Sequence, residues 1–434
     1  MGAFFRASSS RPPSSMPEVR VTGLGLLTPS GLNVAESCAA WLRGESAIGP
    51  APEAIRELLP QALAATVPDG WQQKLQRAVQ GTDRSVQLAA VAAAEALQDA
   101  ELDLPGETDP ERIGIYVGIG LAGANTLDNL YATFYERLYR PDAAGHRNPA
   151  MVHPLSVPRL MSNATAAMLS ILYGVRGPTH TYSVACASSA LALGEAYRAI
   201  RSGWIDRALV VGCEAMITAG AFLAWNALRV LAQPDPEDPA SSCKPFDARR
   251  SGFVLGEGAA AVLLENAESA QRRGKDGHAV LIGYGSSSDA QHLTAPSVDG
   301  QARAMRAALR DAGVAPKDVG YINAHGTATA GGDIAESDSI VNVFGEHASR
   351  VPISATKSMH GHLIGAAGAV EFAGTVWSVA HGEIPPTAHW RTRDPKCALD
   401  YVAEGARRLP DLRVAITNSF AFGGTNVCLV VRKN

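Results

Sequence analysis

The sequence predicts an α/β fold, because short apolar stretches alternate along the chain with alanine-rich amphipathic helices. A second observation is that two distant segments, 181–203 and 351–384, follow the same plan. Each runs from a β-like stretch through a turn with reactive residue types into a helix of small residues, and then closes with a glycine. Because small side chains let helix backbones approach closely, we expect an internal duplication whose two helices can lie against each other.

The elements follow this rhythm in order along the chain. The clearest strand candidates are RIGIYVGIG (112–120), RALVVGCEAM (207–216), AVLIGYGSS (279–287) and RVAITNSFAF (413–422). The Pro- and Asp-rich segment 232–247 predicts a loop, and the polar, helical segment 266–278 marks the joint between two halves. We therefore expect a disordered extension over residues 1–16, an N-terminal half over 17–268 and a C-terminal half over 269–434.

Composition narrows the class of protein. The chain has 434 residues with a formal net charge of -4, and no polybasic tract suggests a nucleic-acid partner. Its six cysteines stand far apart without a C-x-x-C pair, which argues against a zinc site and favours a reducing cytoplasm. No apolar run approaches the roughly 18 residues needed to cross a bilayer, and the first residues lack the apolar core of a signal peptide. We expect a cytoplasmic protein without membrane contact.

Cys186 lies in the run SVACASSA (183–190), where a strand-like stretch gives way to helix formers that end at Gly203. The free N–H groups of a helix N-terminus favour negative charge, so a thiol placed there is expected to ionise more readily and to act as a nucleophile. A buried cysteine that only fills space is the alternative, and this stretch alone leaves both interpretations open.

Two histidine-bearing stretches in the second half could supply partners for this thiol. They are NAHGTATAGGDIAE (323–336) and TKSMHGHLIGAAGAVE (356–371), and in each a histidine adjoins glycine at a predicted junction between elements. Histidine near neutral pH can accept a proton or donate a hydrogen bond, as a nucleophilic thiol and a developing oxyanion both require. A purely structural role is the alternative for any one of them.

A dinucleotide-binding oxidoreductase is a competing function class, because GIGLAG (118–123) satisfies G-x-G-x-x-G after a predicted strand. That fingerprint needs a second strand ending in an acidic residue about 20 positions further on. Here a helix and a polar loop follow instead, which disfavours this function.

Four motifs in order give the chain a specific resemblance: VACASSA, NAHGTAT, TKSMHGHLIGAAGAVE and NSFAFGGTN (418–426). With these motifs the chain resembles the β-ketoacyl-acyl carrier protein synthases, in particular the elongating type II enzymes of the thiolase superfamily. The resemblance implies a duplicated thiolase-like five-layer α/β/α/β/α fold, two ketosynthase halves and a homodimer. It also implies a decarboxylative Claisen condensation, in fatty acid or in type II polyketide or polyene chain elongation.

The resemblance also assigns catalytic roles. Cys186 would take the acyl group from an acyl carrier protein, and a malonyl-loaded carrier protein would then lose carbon dioxide and attack that group. His325 and His362 match the family histidines that hold the malonyl carbonyl and stabilise the enolate. The backbone N–H groups of Cys186 and Phe422 match the oxyanion hole. Lys357 and Glu371 match a pair that orders the site, with a buried ion pair of no chemical role as the alternative.

Further residues would bind substrate, and no metal or cofactor is expected. Thr327 and Thr329 match positions that hydrogen-bond the pantetheine arm, and Leu121 is expected in the acyl pocket. Arg229 matches one arginine that docks the carrier protein, and Phe422 is also the family's gate residue.

Two departures and one alternative limit this assignment. Ala421 stands where most elongating relatives have glycine, which predicts a stiffer gate, and His360 stands where they commonly have threonine. A non-catalytic, chain-length-determining partner subunit of the same fold is the alternative function. Such subunits lack the nucleophile, so Cys186 with both histidines argues against it.

Overall fold

A computed structural model describes residues 16–106, 109–139 and 152–434. The predicted extension therefore lies outside the described residues except for Met16. The helices and strands of the first half are β1 (Val19–Leu27), α1 (Val34–Leu42), β2 (Gly49–Pro50), α2 (Glu53–Arg56), β3 (Leu63–Ala65), α3 (Arg84–Asp99), β4 (Ile113–Gly118), α4 (Ala124–Thr133), a π-helical turn (Phe134–Tyr139), α5 (Ser156–Leu160), α6 (Ala164–Tyr173), β5 (Thr179–Tyr182), α7 (Ser188–Arg201), β6 (Arg207–Glu214), α8 (Ala219–Ala227), β7 (Leu255–Gly256) and β8 (Gly258–Asn266).

The second half repeats the alternation of strands and helices. Its elements are α9 (Ala267–Arg272), β9 (Ala279–Ser288), α10 (Val298–Ala312), β10 (Tyr321–Asn323), α11 (Ala330–Phe344), β11 (Ile353–Ser354), α12 (Lys357–His360), α13 (Ala367–His381), β12 (Glu383–Ile384), β13 (Arg407–Arg408), β14 (Val414–Phe420) and β15 (Thr425–Arg432). The joint predicted at residue 268 falls inside α9, which leads from the last strand of one half to the first strand of the other.

Ten of these strands form one sheet in the order β11-β10-β14-β15-β9-β1-β8-β6-β4-β5. We number the five strands of each half by their order along the chain and read each half from the outer edge of the sheet to its centre. Both halves then have the order third, second, fourth, fifth and first. Both halves also share the same directions, with the second strand parallel to the third and fourth and the fifth antiparallel to its two neighbours. The halves join where Val19–Val21 of β1 pairs antiparallel with Ala279–Leu281 of β9. The predicted duplication is confirmed.

Helices cover both sheet halves and fill the space between them. On the outer faces, α3 packs on β1, β6 and β8, while α10 packs on β9 and β15. In the middle, α7 lies on β4 and β6, α13 lies on β14, and the two helices contact each other. These are five layers, α/β/α/β/α, as expected.

Small residues allow α7 and α13 to touch, which is the physical reason for their composition. A Cβ added at Gly368 would lie 2.7 Å from the backbone nitrogen of Ala190 on the other helix. Close contact also satisfies backbone groups, because Ser189 Oγ accepts a 2.8 Å hydrogen bond from Ala369 N–H in the first turn of α13. The two helix N-termini are therefore brought together at the centre of the molecule. Along the described ranges, no helix is both long enough and apolar enough to cross a membrane.

Candidate active site

Cys186 sits on a strained 3₁₀ turn, Ala185–Ala187, that leads directly into α7. Ala185 has φ +49°, a left-handed conformation that costs a non-glycine residue on the order of 1–2 kcal/mol. The turn is held by Ser188 Oγ, which accepts from Val184 N–H at 2.9 Å and donates to Ala185 O at 2.7 Å. The corresponding turn of the second half, Ile364–Ala366, precedes α13 and has the same left-handed first residue, since Ile364 has φ +42°. This local strain orients the thiol.

Two hydrogen-bond donors point at the Cys186 sulfur. His362 Nε2 lies 3.0 Å from Sγ, and the backbone N–H of Phe422 also donates to it. The other imidazole nitrogen of His362, Nδ1, accepts from Ile364 N–H at 3.1 Å. A neutral ring whose Nδ1 accepts must carry its proton on Nε2, so the partners assign an Nε2–H that faces the sulfur. The arrangement stabilises a thiolate rather than removing its proton.

The expected easy ionisation of Cys186 is wrong for the resting site. Burial raises the pKa of the thiol to about 12, although the Lys357 charge and the Phe422 N–H oppose this shift. The sulfur lies inside the protein, and desolvation of a charge there outweighs the favourable field of the helix N-terminus. The thiolate therefore has to form when substrate enters, with His362 and Phe422 ready to receive it.

His325 lies beside His362, with ring centroids 5.6 Å apart at 83°. Its Nδ1 faces Lys357 Nζ at 3.4 Å, and the same ammonium donates to His325 O at 2.6 Å and to Glu371 Oε1. Because the ammonium occupies Nδ1, the neutral ring of His325 also carries its proton on Nε2. Burial first, and then the Lys357 charge, lower the pKa of both histidines well below the usual range. Both rings are therefore neutral donors.

Within the described residues, Cys186, His325 and His362 bring ligand-type atoms within 4.8 Å of one another. Such a trio has the composition of a metal site. However, metal ligation through Nε2 requires a lone pair there, and the partners on Nδ1 place a proton on each Nε2. The donor set therefore fits stabilisation of a negatively charged oxygen better than it fits a cation.

A cavity of about 230 Å³ opens onto these three side chains. Thr327 and Thr329 line it, with their hydroxyl oxygens 2.9 Å apart. Asp333 fixes the loop that carries them by accepting from Ala328 N–H at 3.1 Å, and Ala328 has φ +61°. Both threonines therefore line the same cavity as Cys186, and their role in binding a substrate arm stays a prediction.

Profiles of known families match both halves of the chain. The family described as Beta-ketoacyl synthase, N-terminal domain, matches residues 16–270, and Beta-ketoacyl synthase, C-terminal domain, matches residues 278–391. The chain belongs to the β-ketoacyl synthase family. The resemblance predicted from the four motifs is confirmed.

Individual ketosynthases are similar over almost the whole chain. A protein of Staphylococcus aureus (strain COL) named 3-oxoacyl-(acyl-carrier-protein) synthase 2 is 38% identical over 422 residues, covering 96% of this chain and 98% of that protein. A type II PKS ketosynthase, solved with its acyl-carrier protein and bound to the hexaketide, superposes with TM-score 0.87 at 30% identity, over 97% of this chain and 100% of its own. The ishigamide ketosynthase/chain length factor superposes with TM-score 0.86 at 33% identity, with the same coverage. The thiolase-like fold expected of a ketosynthase is likewise confirmed.

Two of the predicted substrate-binding residues, Leu121 and Arg229, are not among the described residues that line the cavity. Leu121 exposes its side chain, while its backbone N–H donates to Glu214 Oε1 at 3.3 Å. Arg229 is exposed and has φ +57°, but its neighbours Leu228 and Val230 do line the cavity. The roles of Leu121 in the acyl pocket and of Arg229 in docking stay predictions.

Buried carboxylates position the ketosynthase site, and the sequence analysis missed them. Glu336 accepts from the backbone N–H groups of His325 and Gly326, each at 2.8 Å. Glu214 accepts from Gly120 N–H at 2.8 Å and from Gly365 N–H at 3.0 Å. Both residues lie in quoted stretches, Glu336 in 323–336 and Glu214 in the strand candidate 207–216. Only Glu336 stands near a candidate histidine in the sequence, so it alone had a usable signal.

The segment around Phe422, for which the resemblance predicts a gate, takes its shape from glycines rather than from Ala421. Gly423 has φ +85° and Gly424 has φ +77°, whereas Ala421 keeps φ outside the left-handed region. Ala421 N–H donates to Thr425 O at 2.9 Å, and Ala421 O accepts from Gly424 N–H. In this state the alanine methyl therefore costs nothing, and the stiffness predicted for the gate has no support at this position.

The buried ion pair between Lys357 and Glu371 predicts that the free energy of unfolding depends on pH. Burial raises the pKa of Glu371 to about 7 from its ordinary 4.5, because Lys357 offsets only part of the desolvation. A carboxyl with a raised pKa stabilises the fold fully below its unfolded pKa and loses that contribution as pH rises through 7. We expect the unfolding free energy of Glu371→Gln to fall less steeply than that of the wild type between about pH 5 and 8, by up to about 1.4 kcal/mol per pH unit. Denaturant titrations across this range measure the slopes, and parallel slopes would contradict the expectation.

Proposed function

We propose that the protein condenses an acyl group held on Cys186 with malonyl-acyl carrier protein, giving β-ketoacyl-acyl carrier protein and carbon dioxide. The observation that carries this proposal is the convergence of one sulfur, two Nε2–H donors and the Phe422 N–H at the end of one cavity. Donors fixed in advance around the position of a developing negative charge lower the barrier without reorganisation.

In the first half-reaction, Cys186 Sγ attacks the thioester carbonyl of the acyl carrier protein. The sulfur–carbon bond to the carrier breaks, and the carrier thiol leaves with the proton given up by Cys186. The tetrahedral oxyanion lies within reach of the Phe422 N–H, which points at the reacting sulfur in the free enzyme. His362 stabilises the thiolate while it forms, because Nε2–H is 3.0 Å from Sγ.

In the second half-reaction, the carbonyl oxygen of the malonyl thioester accepts hydrogen bonds from His325 and His362. Cleavage of the carbon–carbon bond to the carboxylate releases carbon dioxide and leaves the electron pair on an enolate. The enolate carbon attacks the carbonyl carbon of the acyl group, and the bond from this carbonyl carbon to Cys186 Sγ breaks. The sulfur leaves as a thiolate and takes up one proton from solvent, which restores the thiol. Lys357 holds His325 through Nδ1 and the backbone, so its Nε2–H stays directed at the enolate oxygen.

The alternative function, a non-catalytic partner subunit that sets chain length, finds less support. A subunit without chemistry needs no strained turn under a cysteine and no ammonium behind a histidine. Here Cys186, both histidines and Lys357 are assembled together and buried. Fatty acid elongation and type II polyketide or polyene elongation use the same two half-reactions, and the proposal covers both.

Intact-mass spectrometry on the purified protein tests the function directly. Incubation with acyl carrier proteins of several chain lengths should add one acyl group, and later addition of malonyl-acyl carrier protein should release β-ketoacyl product. The acyl groups retained on the protein also identify the preferred pathway. No acyl adduct with any carrier-bound acyl group would overturn the proposal.

We also propose that the protein is a homodimer of the cytoplasm. Strand β5 lies at the end of the sheet, so within the described ranges its outer edge has no neighbouring strand. Apolar side chains are exposed beside it at Ile171 and Trp204. All six cysteines are free thiols, as a reducing compartment would keep them. Sedimentation velocity should give a dimer, whereas a stable monomer would instead point to pairing with a different subunit.

A further inference from the structure

Gln301 is a buried polar residue in the lining of the catalytic cavity, and neither half-reaction uses it. It lies in the first turn of α10, where its backbone N–H donates to Ser297 O at 3.0 Å. Its side chain is 2% exposed, and Oε1 has no hydrogen-bond partner among the described residues. A buried acceptor without a partner is destabilising, and native proteins contain few of them. A molecule that enters the cavity can supply the missing donor.

The lining around Gln301 is nearly free of charge, which limits the chemistry of this molecule. Among the described residues that line the cavity, Asp289 is the only aspartate, glutamate, lysine or arginine. Its carboxylate is already bound, because it accepts from Asn426 Nδ2 at 2.7 Å and from Ser297 N–H at 3.1 Å. No cationic side chain in this part of the lining can pair with a carboxylate or a phosphate. The group that meets Gln301 is therefore expected to be polar and neutral.

The polar groups on neighbouring helices indicate which neutral group fits. Gln301 on α10 and Thr329, the N-cap residue of α11, line the same cavity, and the two helices pack against each other. The hydroxyl groups of Thr327 and Thr329 can each donate and accept. The primary amide of Gln301 also offers both a donor and an acceptor, and rotation by 180° exchanges the two. These groups complement a secondary amide, which has one N–H and one carbonyl.

We propose that Gln301 is a specificity-determining residue whose side-chain amide hydrogen-bonds a secondary amide of the arm that carries the thioester. The proposal rests on the proposed function, in which the acyl group reaches Cys186 on the pantetheine arm of a carrier protein. That arm contains secondary amides, whereas a simple alkyl thiol contains none. A site with a buried polar group discriminates against a substrate that leaves this group unpaired. Gln301 therefore favours amide-bearing thioesters.

Single-turnover loading of Cys186 from three thioesters of one acyl group tests this preference. Acyl-pantetheine carries two amides, acyl-N-acetylcysteamine carries one, and the S-butyl thioester carries none. We expect Gln301→Leu to lower the loading rate constant for at least one amide-bearing thioester by about three- to tenfold, with the S-butyl thioester unchanged. Intact-mass spectrometry measures the rates. Gln87→Leu on α3 is the matched control, because Gln87 is outside the described lining and its amide donates to Thr82 O at 2.9 Å.

The free energy of unfolding separates a substrate contact from a structural role. In the free protein the Gln301 oxygen has no partner among the described residues, so Gln301→Leu removes no hydrogen bond from it. We therefore expect the free energy of unfolding of this variant to equal or exceed that of the wild type. A lower value, together with equal losses of rate for all three thioesters, would mean that Gln301 supports the fold and would overturn the proposal.

The same measurements separate failure of this proposal from failure of the function. If the wild type is loaded by acyl carrier protein but shows no preference for the amide-bearing thioesters, the proposal is overturned. Unchanged rates in Gln301→Leu also overturn it, and slower condensation with unchanged loading would assign Gln301 to the malonyl group instead. If acyl carrier protein does not load Cys186 in the wild type, the proposed function itself fails. Gln301→Met replaces Gln301→Leu if the leucine variant does not fold.

Discussion

Replacing Cys186 with alanine is expected to abolish both acyl loading and condensation, with a loss of at least about 1000-fold. In the proposed mechanism, the sulfur is the nucleophile in the first half-reaction and the leaving atom in the second, so neither step has another route. His362 and the Phe422 N–H, which converge on Sγ, would be left without the atom that they stabilise. Intact-mass spectrometry for the adduct and a condensation assay with malonyl-acyl carrier protein measure the two steps.

Cys213→Ala is the matched control for this loss. Cys213 is also fully buried on β6, and burial raises the pKa of its thiol as well, but its neighbour is Thr165 Oγ1 at 3.7 Å rather than a histidine. This variant should keep both activities. Peptide mapping that finds the acyl group on Cys213 or Cys428, or condensation by Cys186→Ala at the wild-type rate, would refute the mechanism.

The overall architecture was predictable because it depends on patterns that recur along the chain. Apolar strands and small-residue helices repeat in both halves, and Gly368 shows why the helices need small residues, since a Cβ there would meet Ala190. Strand pairing across the chain was not predictable in the same way. Val19 pairs with both Asn266 and Leu281, and no local pattern near Val19 indicates these distant partners.

The site shows the same division between local and long-range information. The turn into a helix at Cys186 could be predicted from the residues around it, but the raised pKa of its thiol could not. Burial by side chains from distant segments decides that pKa, and periodicity does not report it. Glu214 was missed for a related reason, because a carboxylate that binds backbone N–H groups leaves no spacing signature. Leu121 and Arg229 stay predictions, since each depends on a partner molecule.

Replacing His325 with alanine and replacing His362 with alanine are expected to have different effects on the rates of acyl loading and condensation. His362 Nε2–H contacts Sγ directly, so His362→Ala should slow acyl loading by about ten- to a hundredfold as well as condensation. His325 directs Nδ1 at Lys357, and in the proposed mechanism its Nε2–H donates to the enolate oxygen. His325→Ala should therefore leave loading near the wild-type rate and slow condensation by about 100–1000-fold. Rapid-quench measurement of loading and of product release gives the two rates separately.

Two further variants distinguish this division of labour from a general loss of structure. His325→Asn keeps a side-chain N–H donor and should recover part of the condensation rate, because the enolate oxygen needs a donor rather than an imidazole. His360→Thr changes a third buried histidine, which contacts Trp41 instead of the cavity, so it should leave the ratio of the two rates unchanged. Equal slowing of both steps by His325→Ala and His362→Ala would mean that the pair supports the fold or the thiolate as a unit. A selective loss in His325→Ala, with rescue by asparagine, follows only if His325 acts on the malonyl-derived charge.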